Sequence, residues 1–161
     1  MNEVKGVRGT PVIVTATKEF TFDCAHMLEG HEGLCKNLHG HTYKVHVEVA
    51  RDQGIESEGP AKGMVIDFKM LKTIVQQHII EPLDHSFVYQ NEGGQVETAI
   101  AELLDKAGLK VASVQFRPTA ENMAIAFFEV LASRIPEICP STYVKSVTVW
   151  ETPTSFAKIT A

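Results

Sequence analysis

Period-two alternation opens the chain. Val12 to Asp23 is rich in β-branched and aromatic residues, with Val12-Ile13-Val14 followed by Phe20-Thr21-Phe22, and predicts a strand ending at Cys24-Ala25-His26. His39 to Ala50 alternates again through Tyr43, Val45, Val47 and Val49. It predicts a second strand, antiparallel to the first in a long hairpin. Between them, Met27 to Leu38 carries Gly30 and Gly33 and reads as a loop. Arg51 to Gly63 is a charged, glycine-bearing connection, and Met64-Val65-Ile66 is expected to be a short strand.

The period then changes. Apolar residues at Phe68, Leu71, Ile74, Val75 and Ile79 have helical spacing, with Asp67 as N-cap and Pro82 closing the helix. Leu83-Asp84-His85-Ser86-Phe87 reads as a turn. Glu97 to Ala107 predicts a second amphipathic helix stopped by Gly108, and Val111 to Phe116 another short strand. Pro118-Thr119-Ala120-Glu121 opens a third helix, capped by Thr119 and running to about Arg134, before Pro136. Tyr143 to Glu151 and Ser155 to Thr160 predict a last hairpin turning at Thr152-Pro153-Thr154. The order predicts an α+β fold, an antiparallel sheet covered on one face by helices.

Composition narrows the picture further. A chain of 161 residues suits one domain with a full core, here 11–161 after a polar tail at 1–10. A net charge of −5 with no basic tract argues against a nucleic-acid partner. No apolar run approaches the ~20 residues that span a bilayer, and the N-terminus lacks the apolar core of a signal peptide. Three cysteines, Cys24, Cys35 and Cys139, are an odd count that speaks against a disulfide framework and for a reducing cytoplasm.

The candidate chemistry gathers around Cys35-Lys36-Asn37-Leu38-His39-Gly40-His41. Residues two apart on a strand point to one face, roughly 6.5–7 Å apart at the backbone, so His39 and His41 can converge on one ion. The hairpin brings His26 alongside. Three imidazoles with one open position is the pattern of a catalytic zinc site. Cys35 could be a fourth ligand closing that site, a base or nucleophile beside the ion, or a small buried residue. His46 lies on the opposite strand face, and His31 and His78 read as solvent-facing or satisfied polar residues. Cys24 and Cys139 read as packing. In Asp84-His85 a carboxylate adjoins an imidazole and can hold its tautomer, although a surface turn has the same look. Glu121 could be only a helix-start acid, and Glu151 a solvated strand-end glutamate.

Several of these segments occur in a recognisable order: Phe20-Thr21-Phe22-Asp23-Cys24-Ala25-His26, Cys35 with His39-Gly40-His41, Leu83-Asp84-His85, Pro118-Thr119-Ala120-Glu121-Asn122 and Trp150-Glu151-Thr152. The chain resembles the 6-pyruvoyl-tetrahydropterin synthase family across nearly its whole length. The three-residue gap between Cys35 and His39 resembles its bacterial carboxy-forming branch, which serves queuosine (7-deazaguanine) biosynthesis. The resemblance implies a tunnelling fold (T-fold): hairpin-rich sheets of three subunits closing a barrel, two such rings pairing into a homohexamer, and active sites between subunits. A helix and strand at about 95–116 would be an insertion that many members lack.

By matching positions, the resemblance implies zinc bound by His26, His39 and His41, Cys35 as the proton-abstracting base, and Asp84 with His85 as its partner dyad. Glu151 would anchor the pterin ring, helped by Glu121 and Thr119. The implied reaction converts 7,8-dihydroneopterin triphosphate to 6-carboxy-5,6,7,8-tetrahydropterin with loss of acetaldehyde and triphosphate. The sister activity releases triphosphate alone and leaves the pyruvoyl product. Two rivals are a zinc- or pterin-binding paralogue without catalysis and a structural zinc protein closed by Cys35. A triphosphate needs cations and the chain is acidic, so a local basic pocket drawn from more than one subunit is expected.

Overall fold

Residues 12–161 are described by a computed structural model, and the tail expected at 1–10 lies outside the described residues. They run in the order β1 (Thr15–His26), β2 (His39–Arg51), α1 (Phe68–Val75), α2 (Glu81–Leu83), β3 (Ser86–Gln90), α3 (Gln95–Lys106), β4 (Val111–Val114), α4 (Ala120–Ile138), β5 (Thr142–Thr152) and β6 (Ser155–Thr160).

The alternating segments pair as their pattern requires. β1 and β2 are antiparallel from Thr15 opposite Ala50 to His26 opposite His39. β5 adds to the other side of β2 and β6 returns along β5, both antiparallel. A bulge at Glu48/Val49 breaks the alternation, which lets both Val49 and Ala50 turn inward. Two short strands extend the sheet beyond β1. β3 pairs with β1 in parallel, and β4 with β3 in parallel, giving the order β4-β3-β1-β2-β5-β6. The expected α+β sheet is therefore antiparallel over four strands and parallel over its last two.

One face of the sheet is apolar and carries the helices. Phe22, Tyr43, Val45, Val47, Val147 and Val149 meet Leu71, Ile74 and Ile79 of the first helical segment and Met123, Phe127 and Leu131 of α4. Phe22 stacks on Tyr43 with ring centroids 5.3 Å apart and takes the edge of Phe127 at 6.2 Å. Each such fully buried side chain contributes about 1.5–3 kcal/mol of transfer free energy. A smaller core of Met27, Phe87 and Ala101 lies under α3.

Four expectations are corrected. Met64-Val65-Ile66 forms no strand: Val65 and Ile66 are buried, but the Val65 carbonyl takes the Thr142 hydroxyl and the Met64 carbonyl takes Glu56 N–H, so no ladder forms. Ser86 and Phe87, expected in a turn, begin a strand that runs to Gln90, because Cys24 and Ala25 offer it a free sheet edge. The first helix does not stop at Pro82. It widens into a π-helical turn, Gln76–Ile80, and continues through Pro82 to Leu83. A proline ring cannot sit over the carbonyl four residues back in a regular α-helix, and the wider turn removes that overlap. Likewise α4 runs through Pro136 to Ile138, where burial of Leu131 and Ile135 outweighs one missing N–H donor.

Candidate metal centre and its surroundings

The ends of β1 and β2 carry the histidines. Alternation sets His26 on the same face as Phe22 and Cys24, and His39 and His41 on the same face as Tyr43, just past the edge of the helix-covered core. Their ring centroids lie 4.5, 5.3 and 5.0 Å apart. One nitrogen from each falls within 4.8 Å of the other two. The expected convergence is present.

The outer nitrogens are occupied. His26 Nδ1 donates to the Pro118 carbonyl at 2.7 Å, and His39 Nδ1 donates to the Asn37 carbonyl at 2.7 Å. Carbonyls only accept, so both Nδ1 atoms carry the proton and both Nε2 atoms present lone pairs. Those two Nε2 atoms are 3.1 Å apart. Two neutral imidazoles in these tautomers have no proton to share at that distance. A cation between them removes the conflict, and two nitrogens on one tetrahedral ion at ~2.0–2.1 Å lie roughly 3.3 Å apart. Burial holds the pKa of His26 and of His41 below the ordinary imidazole value, which keeps their lone pairs free near neutral pH. The donor set fits a divalent metal of the zinc type.

Glu151, at the end of β5, faces the same space. Its Oε1 lies 3.9 Å from His26 Nε2 and 3.9 Å from His41 Nε2, and accepts from the buried Tyr43 hydroxyl at 3.4 Å. The side chain is 29 % exposed, which leaves the carboxylate partly available to a ligand. Cys35 sits in a 3₁₀ turn, Leu34–Lys36, leading into β2, half-buried and unpaired with any other cysteine. Its sulfur does not join the tight three-histidine group. Cys24 is buried, and burial, with Asp23 and Asp84 nearby, pushes its thiol up to about 12. It therefore stays a neutral packing thiol.

The Asp84–His85 turn is tightly built. His85 Nδ1 is 2.9 Å from Asp84 Oδ1. Asp23 N–H donates to Asp84 Oδ1 at 3.0 Å, and His85 N–H donates to the Asp23 carbonyl at 2.6 Å. The Asp23 N–H, above all, holds the Asp84 carboxyl below the usual aspartate value. His85 has φ +57°, a left-handed conformation that only a well-braced turn sustains in a non-glycine residue. The dyad lies with the Asp23 side chain, which also takes the Thr42 hydroxyl. Asp23 and Thr42 alternate with Cys24 and His41, so the dyad is on the sheet face opposite the three histidines. Within one chain the two halves do not face each other.

Thr119 acts as the α4 N-cap, accepting from Asn122 N–H at 3.4 Å, and Glu121 is exposed, with no hydrogen bond or ion pair among the described residues. Among the described residues, neither hydrogen-bonds to Glu151. His46 pairs with Glu19 at 2.9 Å on the opposite face from His39 and His41, as expected. Sequence reading missed Tyr43, Asp23 and Thr42. Their only signal was position, one residue in or out of phase with the histidines. It also missed the Pro118 and Asn37 carbonyls, which leave no trace in side-chain identity.

Comparison with known proteins agrees with this architecture. An uncharacterised protein of Wolinella succinogenes shares the fold at TM-score 0.75, with 27% identity, over 92% of this chain and 98% of that one. The Caenorhabditis elegans 6-pyruvoyl tetrahydropterin synthase superposes at TM-score 0.63 with 26% identity, over 93% of this chain and 96% of that one. The class is thus that of T-fold proteins, a curled six-stranded sheet with helices on one face. The sequence pattern of the 6-pyruvoyl tetrahydropterin synthase family matches residues 15–161, and the chain belongs to that family. The 6-carboxy-5,6,7,8-tetrahydropterin synthase of Haemophilus influenzae is 45% identical over 142 residues, 88% of this chain and 95% of that protein. The Aquifex aeolicus protein of the same name is 35% identical, over 77% of this chain and 74% of that protein. Among the described residues, no helix is long and apolar enough to cross a membrane.

Proposed function

We propose that the protein is a zinc-dependent 6-carboxy-5,6,7,8-tetrahydropterin synthase of queuosine biosynthesis, working in the cytoplasm. It takes 7,8-dihydroneopterin triphosphate and releases acetaldehyde and triphosphate. The observation that carries this reading is the pair of opposed Nε2 lone pairs on His26 and His39, completed by His41, in a chain 45% identical to a relative of that name. His26, His39 and His41 hold the zinc. When bound, the ion supplies Lewis acidity toward oxygens on the substrate side chain, acidifying the neighbouring C–H bonds.

Cys35 removes the proton from carbon, and its place outside the tight histidine group supports a base over a fourth ligand. Asp84 holds His85 in one tautomer, and His85 moves protons on the other side of the substrate. Glu151 accepts the ring N–H and exocyclic amine of the pterin together, as a charge-assisted pair. Thr119 and Glu121 help hold that ring edge in the assembled site. Because one chain carries its dyad and its histidines on opposite faces, the site is completed by the dyad of a neighbouring subunit in a homohexamer. Residues 95–116 are an insertion relative to shorter family members, and 11–161 form one domain.

Incubation of the reduced, zinc-loaded protein with 7,8-dihydroneopterin triphosphate, with products identified by mass spectrometry, tests the proposal. The 6-carboxy product and acetaldehyde are expected. A pyruvoyl product alone would move the protein to the sister activity, and no turnover would sink both.

A further inference from the structure

The N-cap of α3 is Gly94, which has no side chain to satisfy the helix's first free N–H groups. Glu29, far away in the Met27–Leu38 loop, does so instead. Its Oε2 accepts from Val96 N–H at 2.9 Å and from Glu97 N–H at 3.0 Å. The approach depends on the bare glycine: a Cβ at Gly94 would fall 1.9 Å from Glu29 Oε2 and 2.7 Å from Glu29 Cβ. The backbone on either side is also tied. Met27 is buried against Phe87 and Ala101, and Arg117 donates to the Glu29 carbonyl at 3.1 Å. One residue back, Leu28 N–H donates to the Cys35 carbonyl at 2.9 Å. The turn holding Cys35 is thus hydrogen-bonded to Leu28, the chain neighbour of the residue locked onto α3.

The other end of the same segment holds the dyad. Lys110, between α3 and β4, donates from Nζ to the Glu81 carbonyl at 2.6 Å and to the Asp84 carbonyl at 2.6 Å. Its own carbonyl accepts from Phe87 N–H at 3.1 Å, which sets β3 just after the dyad. These contacts brace the turn that keeps His85 at positive φ.

We infer that the α3–β4 segment is a clamp on both reacting groups, with Glu29 positioning the Cys35 turn and Lys110 positioning the Asp84–His85 turn. The inference rests on the roles proposed above for Cys35, Asp84 and His85. Glu29 has its carboxylate committed to two backbone N–H groups and Lys110 its ammonium to two carbonyls, so both act through the groups they hold.

The test compares Glu29→Ala, Glu29→Gln, Gly94→Ala and Lys110→Met with the wild type, in full-length zinc-loaded protein well below each unfolding midpoint. Four quantities are read: kcat, KM, zinc per chain, and the rate of iodoacetamide alkylation at Cys35, resolved from Cys24 and Cys139 by peptide mass spectrometry. A misplacement of about 1 Å costs on the order of 100-fold in rate. Glu29→Ala and Gly94→Ala should therefore lower kcat about 10- to 100-fold with KM and zinc near wild type, and alkylation of Cys35 should rise several-fold. Glu29→Gln keeps an acceptor oxygen and should restore most of both. Lys110→Met should lower kcat and leave Cys35 alkylation unchanged, a crossed pattern that general loss of stability does not produce. Wild-type kcat and wild-type alkylation in both Glu29→Ala and Gly94→Ala would overturn the clamp. If the wild type itself shows no turnover, the proposed activity fails, and the alkylation rates still decide whether Glu29 holds the Cys35 turn.

Discussion

The centre of this molecule is a conflict between two imidazoles. His26 and His39 spend their Nδ1 protons on backbone carbonyls and point bare Nε2 atoms at each other. His39→Ala should therefore strip the metal, measured as zinc per chain, and free His26 from the conflict. Cys35→Ala should keep the metal and lose turnover by about 10²–10⁴-fold, the usual scale for removing a positioned base. Substantial metal loss in that variant would make Cys35 a ligand instead. Glu151→Gln turns one acceptor into a donor facing a donor. At about 1.5–3 kcal/mol for a hydrogen bond to a charged group, pterin affinity should fall roughly 10- to 150-fold by calorimetry, and unchanged affinity would contradict the anchor role. Asp84 gives a pH signature. Its folded pKa is depressed, so its stabilisation is full above the unfolded value of about 3.9 and is lost as pH falls through the lower folded value. The gap in denaturation midpoint between wild type and Asp84→Asn should shrink below about pH 4; a gap constant from pH 6 to pH 3 would rule that contribution out.

At the scale of elements, α4 packs on the sheet just before the strand end that carries His26. Phe127, on α4, bridges to Phe22 two positions before Cys24 and four before His26. Phe127→Ala should cost about 3–5 kcal/mol in denaturant unfolding at fixed chain concentration. The long periodic segments were legible because burial on one face imposes a period, as in Tyr43-Lys44-Val45-His46-Val47. Met64-Val65-Ile66 has the composition of a strand but no partner to pair with, and Ser86–Gln90 has a partner that its own composition does not announce. Pro82 and Pro136 look like stops, since proline removes a donor, yet tertiary burial around them holds both helices together. The N-terminus of α3 was the least legible, because its cap is supplied by Glu29 from another part of the chain.

In the whole molecule the three histidines and the Asp84–His85 pair lie on opposite faces of one sheet. On the proposed reading, neither half works alone and a second subunit must supply the complement. Cys35→Ala and His85→Ala should each be inactive as pure oligomers. Unfolded together and refolded at equal amounts, they should regain about a quarter of wild-type activity, since random neighbours pair an intact Cys35 with an intact dyad in that fraction of interfaces. Mixed oligomers with no activity would mean that both halves must come from one chain.

Residue types and their periods were enough to bring His26, His39 and His41 together at neighbouring strand ends, whereas the roles proposed for Cys35, Asp84 and His85 came from the family resemblance. Local alternation fixes which face a side chain takes, and that is a property of neighbours in the chain. The remaining facts depend on groups distant along the chain. The Pro118 carbonyl selects the His26 tautomer from 92 residues away, and Asp23 braces a dyad 61 residues later. Backbone carbonyls, and the N–H groups of every residue but proline, are the same throughout the chain, so their partners become visible only once it has folded.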